Sequence, residues 1–169
     1  EYGCGQGWTT AELADLGDGL DSFDISSIAI DQAQNYLEKK NVDKKCRLRK
    51  MAAEELDYTD DYYDIVVGFA ILHHLDLTLA LPELFRVMKK DGIAFFAEPL
   101  GTNPLISLYR NLTPQYRTAD EKPIVISDFK EEIRYFKSFS HSEYYFLTLL
   151  PLALSYLHLP VKLVNKLII

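Results

Sequence analysis

The sequence holds little cysteine and is short of positive charge, and each shortage excludes a class of protein. Only two of its 169 residues are cysteines, Cys4 and Cys46, and they form no Cys-x-x-Cys pair. This usage predicts a reducing, cytoplasmic location and no metal site. The 18 lysines and arginines are outnumbered by 25 aspartates and glutamates, which gives a net charge of -7. A chain of that charge repels a phosphate backbone, so we expect no nucleic acid partner.

Basic residues cluster in one run, residues 39–50, which holds seven lysines and arginines. No aromatic residue lies among them to stack on bases. We therefore interpret the run as a solvated helix end and loop rather than as a nucleic-acid surface.

The length and composition predict one globular domain. With 48% hydrophobic and 25% charged residues, a chain of 169 residues is long enough for a hydrophobic core and too short for two comfortable domains. It opens inside a glycine motif without a methionine and closes on apolar residues. We therefore expect the domain to be truncated at both ends.

Strand-like and helix-like apolar patterns alternate over residues 1–98. They predict strands over 20–25, 46–52, 63–69 and 93–97, and helices over 8–16, 28–39 and 77–89. This alternation favours an α/β fold with a Rossmann-like, doubly wound and mostly parallel sheet. Beyond residue 98 the pattern weakens, and we expect helices over 103–112 and 127–136 and a strand over 140–147.

The first predicted strand runs directly into a glycine loop, Gly3-Cys4-Gly5-Gln6-Gly7. Ligands of open α/β sheets bind beyond the carboxyl ends of the strands, and glycines at alternate positions let a ligand approach the backbone. A dinucleotide fingerprint would need its third glycine one residue later, where this chain has Trp8. The loop therefore favours S-adenosyl-L-methionine over NAD.

An acidic residue, Asp24, ends the second strand 19 residues after Gly5. A carboxylate at that position can accept hydrogen bonds from both ribose hydroxyls of a bound nucleoside. Its alternative role is to cap the helix that begins near Ser26. The glycine loop at this spacing favours ribose binding.

These motifs together resemble those of a known enzyme family. The glycine loop, Asp24, the segment Ala53-Glu54-Glu55-Leu56, and Tyr63-Asp64-Ile65-Val66 followed by Leu72-His73-His74-Leu75 are similar to class I S-adenosylmethionine-dependent methyltransferases. The branch is the small-molecule one, methyltransferase type 11, related to the quinone-biosynthesis C-methyltransferases. The resemblance covers residues 1 to about 98, which we assign to the cofactor-binding core, and residues 99–169 to an acceptor-side insertion and hydrophobic C-terminal segment of the same domain.

The resemblance implies contacts to the cofactor. Glu1 would lie near the methionine amino group, Asp24 on the ribose, and Ile25 against the adenine. The family often carries an acid where this chain has Ala52, and Glu54 is its nearest substitute. The whole implied set is Glu1, Gly3, Gly5, Gly7, Asp24, Ile25, Ala53, Glu54, Phe69 and Ala70, with the last two supplying backbone to the methionine end.

Methyl transfer depends mostly on positioning, but an oxygen or carbon acceptor can also require a general base. The candidate catalytic residues near the strand ends are His73, His74 and Glu98. Glu98 follows the last predicted strand and precedes Pro99, which places a carboxylate at the functional edge of the sheet. For the two histidines, capping a strand or helix end is the competing role.

The C-terminal part is rich in leucine, and residues 144–161 hold no charged residue apart from His158. Pro151 and Pro160 interrupt the stretch, so a complete membrane span is not expected. Residues 144–169 could instead lie on a membrane surface or cover the acceptor pocket. Either arrangement predicts a small, lipophilic acceptor, and the first adds peripheral membrane contact. A non-catalytic, nucleotide-binding or scaffold protein remains the alternative function.

Overall fold

The computed structural model describes residues 1–17, 19–99, 111, 124–125, 127, 130 and 132–142. Three α-helices lie within these residues, α1 (Trp8–Leu13), α2 (Ser27–Lys40) and α3 (Leu77–Val87). The strands are β1 (Leu20–Asp24), β2 (Cys46–Lys50), β3 (Tyr63–Phe69) and β4 (Met88–Ala97). Short 3-10 turns cover Asp43–Lys45, Leu72–His74 and Glu132–Tyr135.

The strands pair in parallel, and the first residues of the chain join the two pairs. β1 pairs with β2, and β3 pairs with β4. Between the pairs lies Tyr2, which bridges Phe23 of β1 on one side and Gly68 of β3 on the other, both in parallel. Its amide donates to the carbonyl of Val67 at 2.8 Å. The order is therefore β2, β1, the Tyr2 segment, β3, β4, and the predicted parallel α/β sheet is confirmed.

The core lies between this sheet and α3. The helix begins after Asp76, whose carboxylate accepts a hydrogen bond from the amide of Thr78. The helical spacing predicts one face with Leu81, Leu84, Phe85 and Met88. Leu81 and Leu84 are buried as predicted, whereas Phe85 is 48% exposed and Val87 is buried instead. Tyr2 is the central sheet residue of this core, with its ring edge-on to those of Phe23 and Phe96, at centroid distances of 4.8 and 5.8 Å.

Several predicted boundaries are wrong by a few residues. The helix predicted over 8–16 ends at Leu13, and the strand predicted over 46–52 ends at Lys50. The helix predicted over 77–89 ends at Val87, because Met88 takes extended backbone, is buried, and pairs with Tyr63 as the first residue of β4. A register shift between Tyr63 and Ile65 accommodates the polar residues that follow.

The helix predicted over 127–136 is also wrong where the structure describes it, because residue 127 and the turn Glu132–Tyr135 have 3-10 backbone and residue 130 lies in a turn. Ile133 and Phe136 both pack on the core, and the amide of Phe136 donates to the carbonyl of Ile133. Residues three apart are eclipsed in a 3-10 turn, which lets both side chains face α3.

Two further predictions on this half of the chain fall largely beyond the described residues. They are the helix over 103–112, of which only residue 111 is described, and the strand over 140–147, whose described residues 140–142 form no strand.

One face of the β3–β4 pair remains apolar and open. Ile65, Ile93 and Phe95 are 68%, 66% and 56% exposed. Within the described part of the chain, no helix combines the length and apolar character that a membrane crossing requires. The leucine-rich residues 144–169 lie outside the described residues.

Candidate functional site

The glycine loop and the end of β1 meet at the carboxyl edge of the sheet through Asp24. One oxygen of its carboxylate accepts from the amide of Gly5 at 3.0 Å, and the other accepts from the amide of Ser26 at 2.9 Å. An ionised carboxylate offers about four lone-pair directions, so about two remain for hydroxyl donors. Asp24 therefore holds both segments in place and still has acceptor capacity toward the edge of the sheet.

Two glycines of the loop, Gly5 and Gly7, have different structural roles. Gly5 has a φ of +49°, and a Cβ added there would meet no atom of the described part of the chain within 4 Å. Gly7 has a φ of +83°, and a Cβ there would lie 2.9 Å from the Cα of Ala33 in α2. Gly7 thus permits close packing of α1 on α2, whereas Gly5 faces open space that a ligand could fill.

Glu1 stands behind the loop with its carboxylate buried among hydroxyl groups. It accepts hydrogen bonds from Thr10 at 2.6 Å, from Ser22 at 2.9 Å, and from Thr9. These contacts tie α1 to β1, so the carboxylate acts here as part of the scaffold. Contact with a methionine amino group stays a prediction.

The three hydroxyl residues around Glu1 are absent from the sequence-based predictions. Thr10 and Ser22 are completely buried polar residues, one in a helix and one in a strand. Buried hydroxyls need hydrogen-bond partners, and the only signal for them in the sequence is a polar residue at an otherwise apolar position.

The end of β3 makes a strained turn opposite the glycine loop. Ala70 has a φ of +52°, in the left-handed region that residues other than glycine rarely adopt. Its amide donates to the carbonyl of Ala97 at 2.8 Å. Such strain persists only where surrounding contacts hold it, and it concentrates at ligand sites. Phe69 and Ala70, both predicted to contact the cofactor, occupy this turn.

The three candidate catalytic residues come together beside the strained turn. His73 Nδ1 lies 2.7 Å from Glu98 Oε2, and their side chains are only 8% and 7% exposed. Glu98 Oε1 accepts from the amides of Ile71 and Leu72, at 2.8 and 2.9 Å. The exposed ring of His74 lies 4.1 Å from that of His73, measured between centroids. Whether any of the three acts in catalysis stays a prediction.

The residues predicted to surround adenine lie at the edge of the sheet beyond β1 and β2. Ile25 follows Asp24 and is 70% exposed, so its side chain is available to a ligand. Ala53 is buried. Glu54 accepts from the amide of Asp76 at 3.1 Å, so one of its oxygens already anchors the start of α3.

An arginine of α3 holds the segment that follows Glu54, and the sequence did not point to it. Arg86 donates to the carbonyls of Leu56 and Tyr58, at 2.8 and 2.7 Å, and to the carboxylate of Glu83. Hydrogen bonds from Arg86 hold the pKa of Glu83 below its ordinary value. A polar pair one turn apart on an otherwise apolar helix was the available signal.

Cys4 lies within the glycine loop but is not poised for chemistry. Its thiol is buried, and burial, with the nearby Asp24 carboxylate, raises its pKa to about 12. The thiol therefore stays protonated at neutral pH and acts as a small apolar group. Among the described residues, no three histidine, cysteine or acidic side chains group together in a way that could hold a metal ion.

Comparison with known sequences yields a family match over most of the described core. A family model described as a methyltransferase domain matches residues 1–96. The demethylmenaquinone methyltransferase of Lactobacillus johnsonii is 31% identical over 122 residues, which are 67% of this chain and 50% of that protein. The chain spans half or less of the length of the curated relatives that it matches.

Solved structures share the fold of this chain. YcgJ of Bacillus subtilis superposes with a TM-score of 0.68 at 22% identity, over 79% of this chain and 58% of that one. A SAM-dependent methyltransferase of Methanosarcina mazei gives a TM-score of 0.57 at 26% identity, over 68% of this chain and 57% of the other.

Proposed function

Because the chain belongs to the methyltransferase domain family, we propose that it binds S-adenosyl-L-methionine and transfers its methyl group to a small, lipophilic acceptor. The match of the methyltransferase domain model to residues 1–96 confirms the family membership predicted from the glycine loop, Asp24 and the Leu72-His73-His74-Leu75 motif. The cofactor site, in this proposal, is the carboxyl edge of the sheet.

The observation that carries the proposal is the open space at Gly5 beside the unused acceptor capacity of Asp24. Among the residues that the structure describes, none lies within 4 Å of a Cβ built at Gly5, and each oxygen of Asp24 accepts one hydrogen bond. This arrangement fits a cofactor whose two ribose hydroxyls donate hydrogen bonds to the carboxylate, while its methionine chain passes over the glycine backbone.

Each end of the cofactor would meet a different part of the edge. Ile25 and the Ala53–Glu54 pair would contact the adenine, with Gly3 and Gly5 along the middle. The backbone of Phe69 and Ala70, in the left-handed turn, would contact the methionine end. When bound, the cofactor supplies a methyl group on a positively charged sulfur.

An acceptor that loses a proton on methylation needs a base close to that methyl group. The His73–His74–Glu98 cluster lies directly after the turn that would hold the methionine end, so it is the proposed source of this base. The chain's own task is then to position the acceptor atom in line with the methyl group and to take up the released proton.

The acceptor class is inferred from the C-terminal composition and from one relative. Residues 144–169 combine an uncharged, leucine-rich stretch with two lysines near the end, and they lie outside the described residues. The Lactobacillus johnsonii relative is named for demethylmenaquinone. We therefore propose a lipophilic acceptor, a cytoplasmic location, and peripheral contact of residues 144–169 with a membrane surface.

Transfer of a radiolabelled methyl group tests this function directly. The protein is incubated with methyl-labelled S-adenosylmethionine and either a demethylated quinol or a polar amine, and the label is extracted into organic solvent. We expect label in the lipophilic product, and its loss in the Asp24→Ala variant. Label on the amine alone would contradict the lipophilic acceptor.

A non-catalytic cofactor-binding protein is the second candidate. Ala52 stands where the family often has an acid, and Glu54 already accepts a backbone hydrogen bond. Adenine recognition therefore has fewer free carboxylate oxygens than the family pattern provides. Cofactor binding without methyl transfer to any acceptor tested would favour this candidate.

A further inference from the structure

We propose that Glu98 is a positioning residue with two separate tasks: one oxygen fixes the strained turn Ala70–Leu72, and the other holds His73 with its proton on Nδ1. This inference rests on the proposed function only for the purposes it assigns: the turn contacts the cofactor, and the His73 ring takes up the released proton. The contacts themselves can be tested without cofactor or acceptor.

The first task follows from where the amide groups of the turn point. Ile71 and Leu72 open the 3-10 turn Leu72–His74, and the first amides of such a turn have no partner within it. Both donate to Glu98 Oε1, at 2.8 and 2.9 Å. The residue before them is Ala70, whose left-handed backbone is costly and needs support from its neighbours.

Burial makes this support hard to replace. The Glu98 side chain is only 7% exposed, so water cannot easily take over its hydrogen bonds. Its carboxylate comes from the end of β4, more than twenty residues along the chain from the turn, and so ties the ends of two neighbouring strands together. Without it, the backbone that would face the methionine end loses its fixed shape.

The second task concerns the imidazole of His73. A carboxylate can only accept hydrogen bonds, so the 2.7 Å contact between Oε2 and Nδ1 requires the proton on Nδ1. In a neutral imidazole, Nε2 then carries a lone pair. Glu98 thus leaves His73 able to accept a proton at Nε2, while about three of the four acceptor directions of the Glu98 carboxylate are already engaged inside the protein.

Replacement of Glu98 by glutamine separates the two tasks. The amide oxygen of the new side chain would still accept from Ile71 and Leu72, but its amide nitrogen would donate toward His73. That donation would require an unprotonated Nδ1 and would move the ring proton to Nε2. Replacement of Glu98 by alanine removes both interactions. Glu38→Gln, an exposed change at the end of α2, is the matched control.

The test uses nuclear magnetic resonance on the full chain without ligand, followed by calorimetry with S-adenosylmethionine. We expect Glu98→Gln to keep slow amide exchange at Ile71 and Leu72 while the imidazole nitrogen shifts of His73 change from the Nδ1–H to the Nε2–H pattern. We expect Glu98→Ala to lose that protection and to bind S-adenosylmethionine about tenfold more weakly, whereas Glu98→Gln stays within about threefold of wild type.

The proposal is overturned if His73 keeps the same tautomer in Glu98→Gln, or if Ile71 and Leu72 stay protected in Glu98→Ala. Should Glu98→Ala fail to fold, Glu98→Gln decides through the tautomer alone. If the wild-type chain does not bind S-adenosylmethionine, the proposed function fails, while the exchange and tautomer results still decide the roles of Glu98.

Discussion

The amide nitrogen of Gly5 lies 3.0 Å from a carboxylate oxygen of Asp24, and this bond joins the glycine loop to the end of β1. The same carboxylate accepts from the amide of Ser26, just before α2. Ribose binding and helix capping were alternative roles for Asp24 in the sequence. In the structure the side chain of Ser26 caps α2 by accepting from the amide of Ala29, and Asp24 holds the backbone amide of that capping residue. This contact leaves acceptor directions of Asp24 available for the proposed ribose contact.

Replacement of Asp24 by alanine should weaken S-adenosylmethionine binding by on the order of 2 kcal/mol, because two charge-assisted hydrogen bonds to the ribose are lost. Asp31→Ala, an exposed change in α2, is the control and should bind as wild type does. Isothermal calorimetry measures both variants. Equal affinities for the two would remove Asp24 from the proposed site.

Replacement of Gly5 by alanine should mainly weaken cofactor binding, whereas replacement of Gly7 by alanine should mainly lower the stability of the fold. At Gly5 the new Cβ enters open space, so the protein should stay folded while cofactor affinity falls. At Gly7 the new Cβ meets the backbone of Ala33, so the free energy of unfolding should drop by about 1 to 3 kcal/mol more than at Gly5. Urea unfolding together with calorimetry separates the effects, and unchanged binding in Gly5→Ala would count against the site.

How much of this site the sequence predicts depends on the distance along the chain over which each part forms. The glycine loop is local, so its residue types and spacing were sufficient to locate it. The contact of His73 with Glu98 spans 25 residues and requires that β3 and β4 be neighbours in a known register. The sequence placed both residues at the edge of the sheet, but it could not show that they would bond to each other.

Buried polar contacts were harder to predict than apolar packing. The burial of Leu81 and Leu84 in α3 follows from helical spacing alone. The hydrogen bonds of the three hydroxyls to Glu1 depend instead on how α1 packs against β1, and no local sequence pattern encodes that packing. The end of α3 was misplaced for a related reason, because the pairing of Met88 with Tyr63 competes with helix continuation.

Stability should depend on pH through Asp21, at the other end of β1. Its carboxylate accepts two hydrogen bonds from Arg47, at 2.6 and 2.7 Å, and one from the Tyr63 hydroxyl. The bonds from Arg47, aided by that from Tyr63, hold the pKa of Asp21 below its ordinary value in the folded state.

Because the pKa of Asp21 is lower in the folded than in the unfolded chain, its contribution is complete above the ordinary aspartate pKa. It is lost as the pH falls through the lowered folded value. Asp21→Asn should therefore lower the free energy of unfolding by about 1 kcal/mol at neutral pH and by less in acid. Urea titrations from neutral to acid pH measure this difference, and a difference independent of pH would contradict the prediction.

Removal of residues 148–169 should leave S-adenosylmethionine affinity nearly intact while activity on a lipophilic acceptor falls. The reason is that the proposed cofactor contacts all lie before residue 71, whereas the leucine-rich segment is proposed to meet the acceptor or a bilayer. Liposome co-sedimentation with and without the segment separates these two roles. If the shortened protein unfolds and loses the cofactor too, the segment belongs to the core, and the inference to a lipophilic acceptor loses its main support.

The most direct measurement is a calorimetric titration of the chain with S-adenosylmethionine, S-adenosylhomocysteine and NAD in parallel. The proposed site predicts that the first two bind with one molecule per chain and that NAD binds more weakly than both, because Trp8 occupies the position of the third dinucleotide glycine. Tighter binding of NAD than of S-adenosylmethionine, or no binding of S-adenosylmethionine at all, would contradict the account.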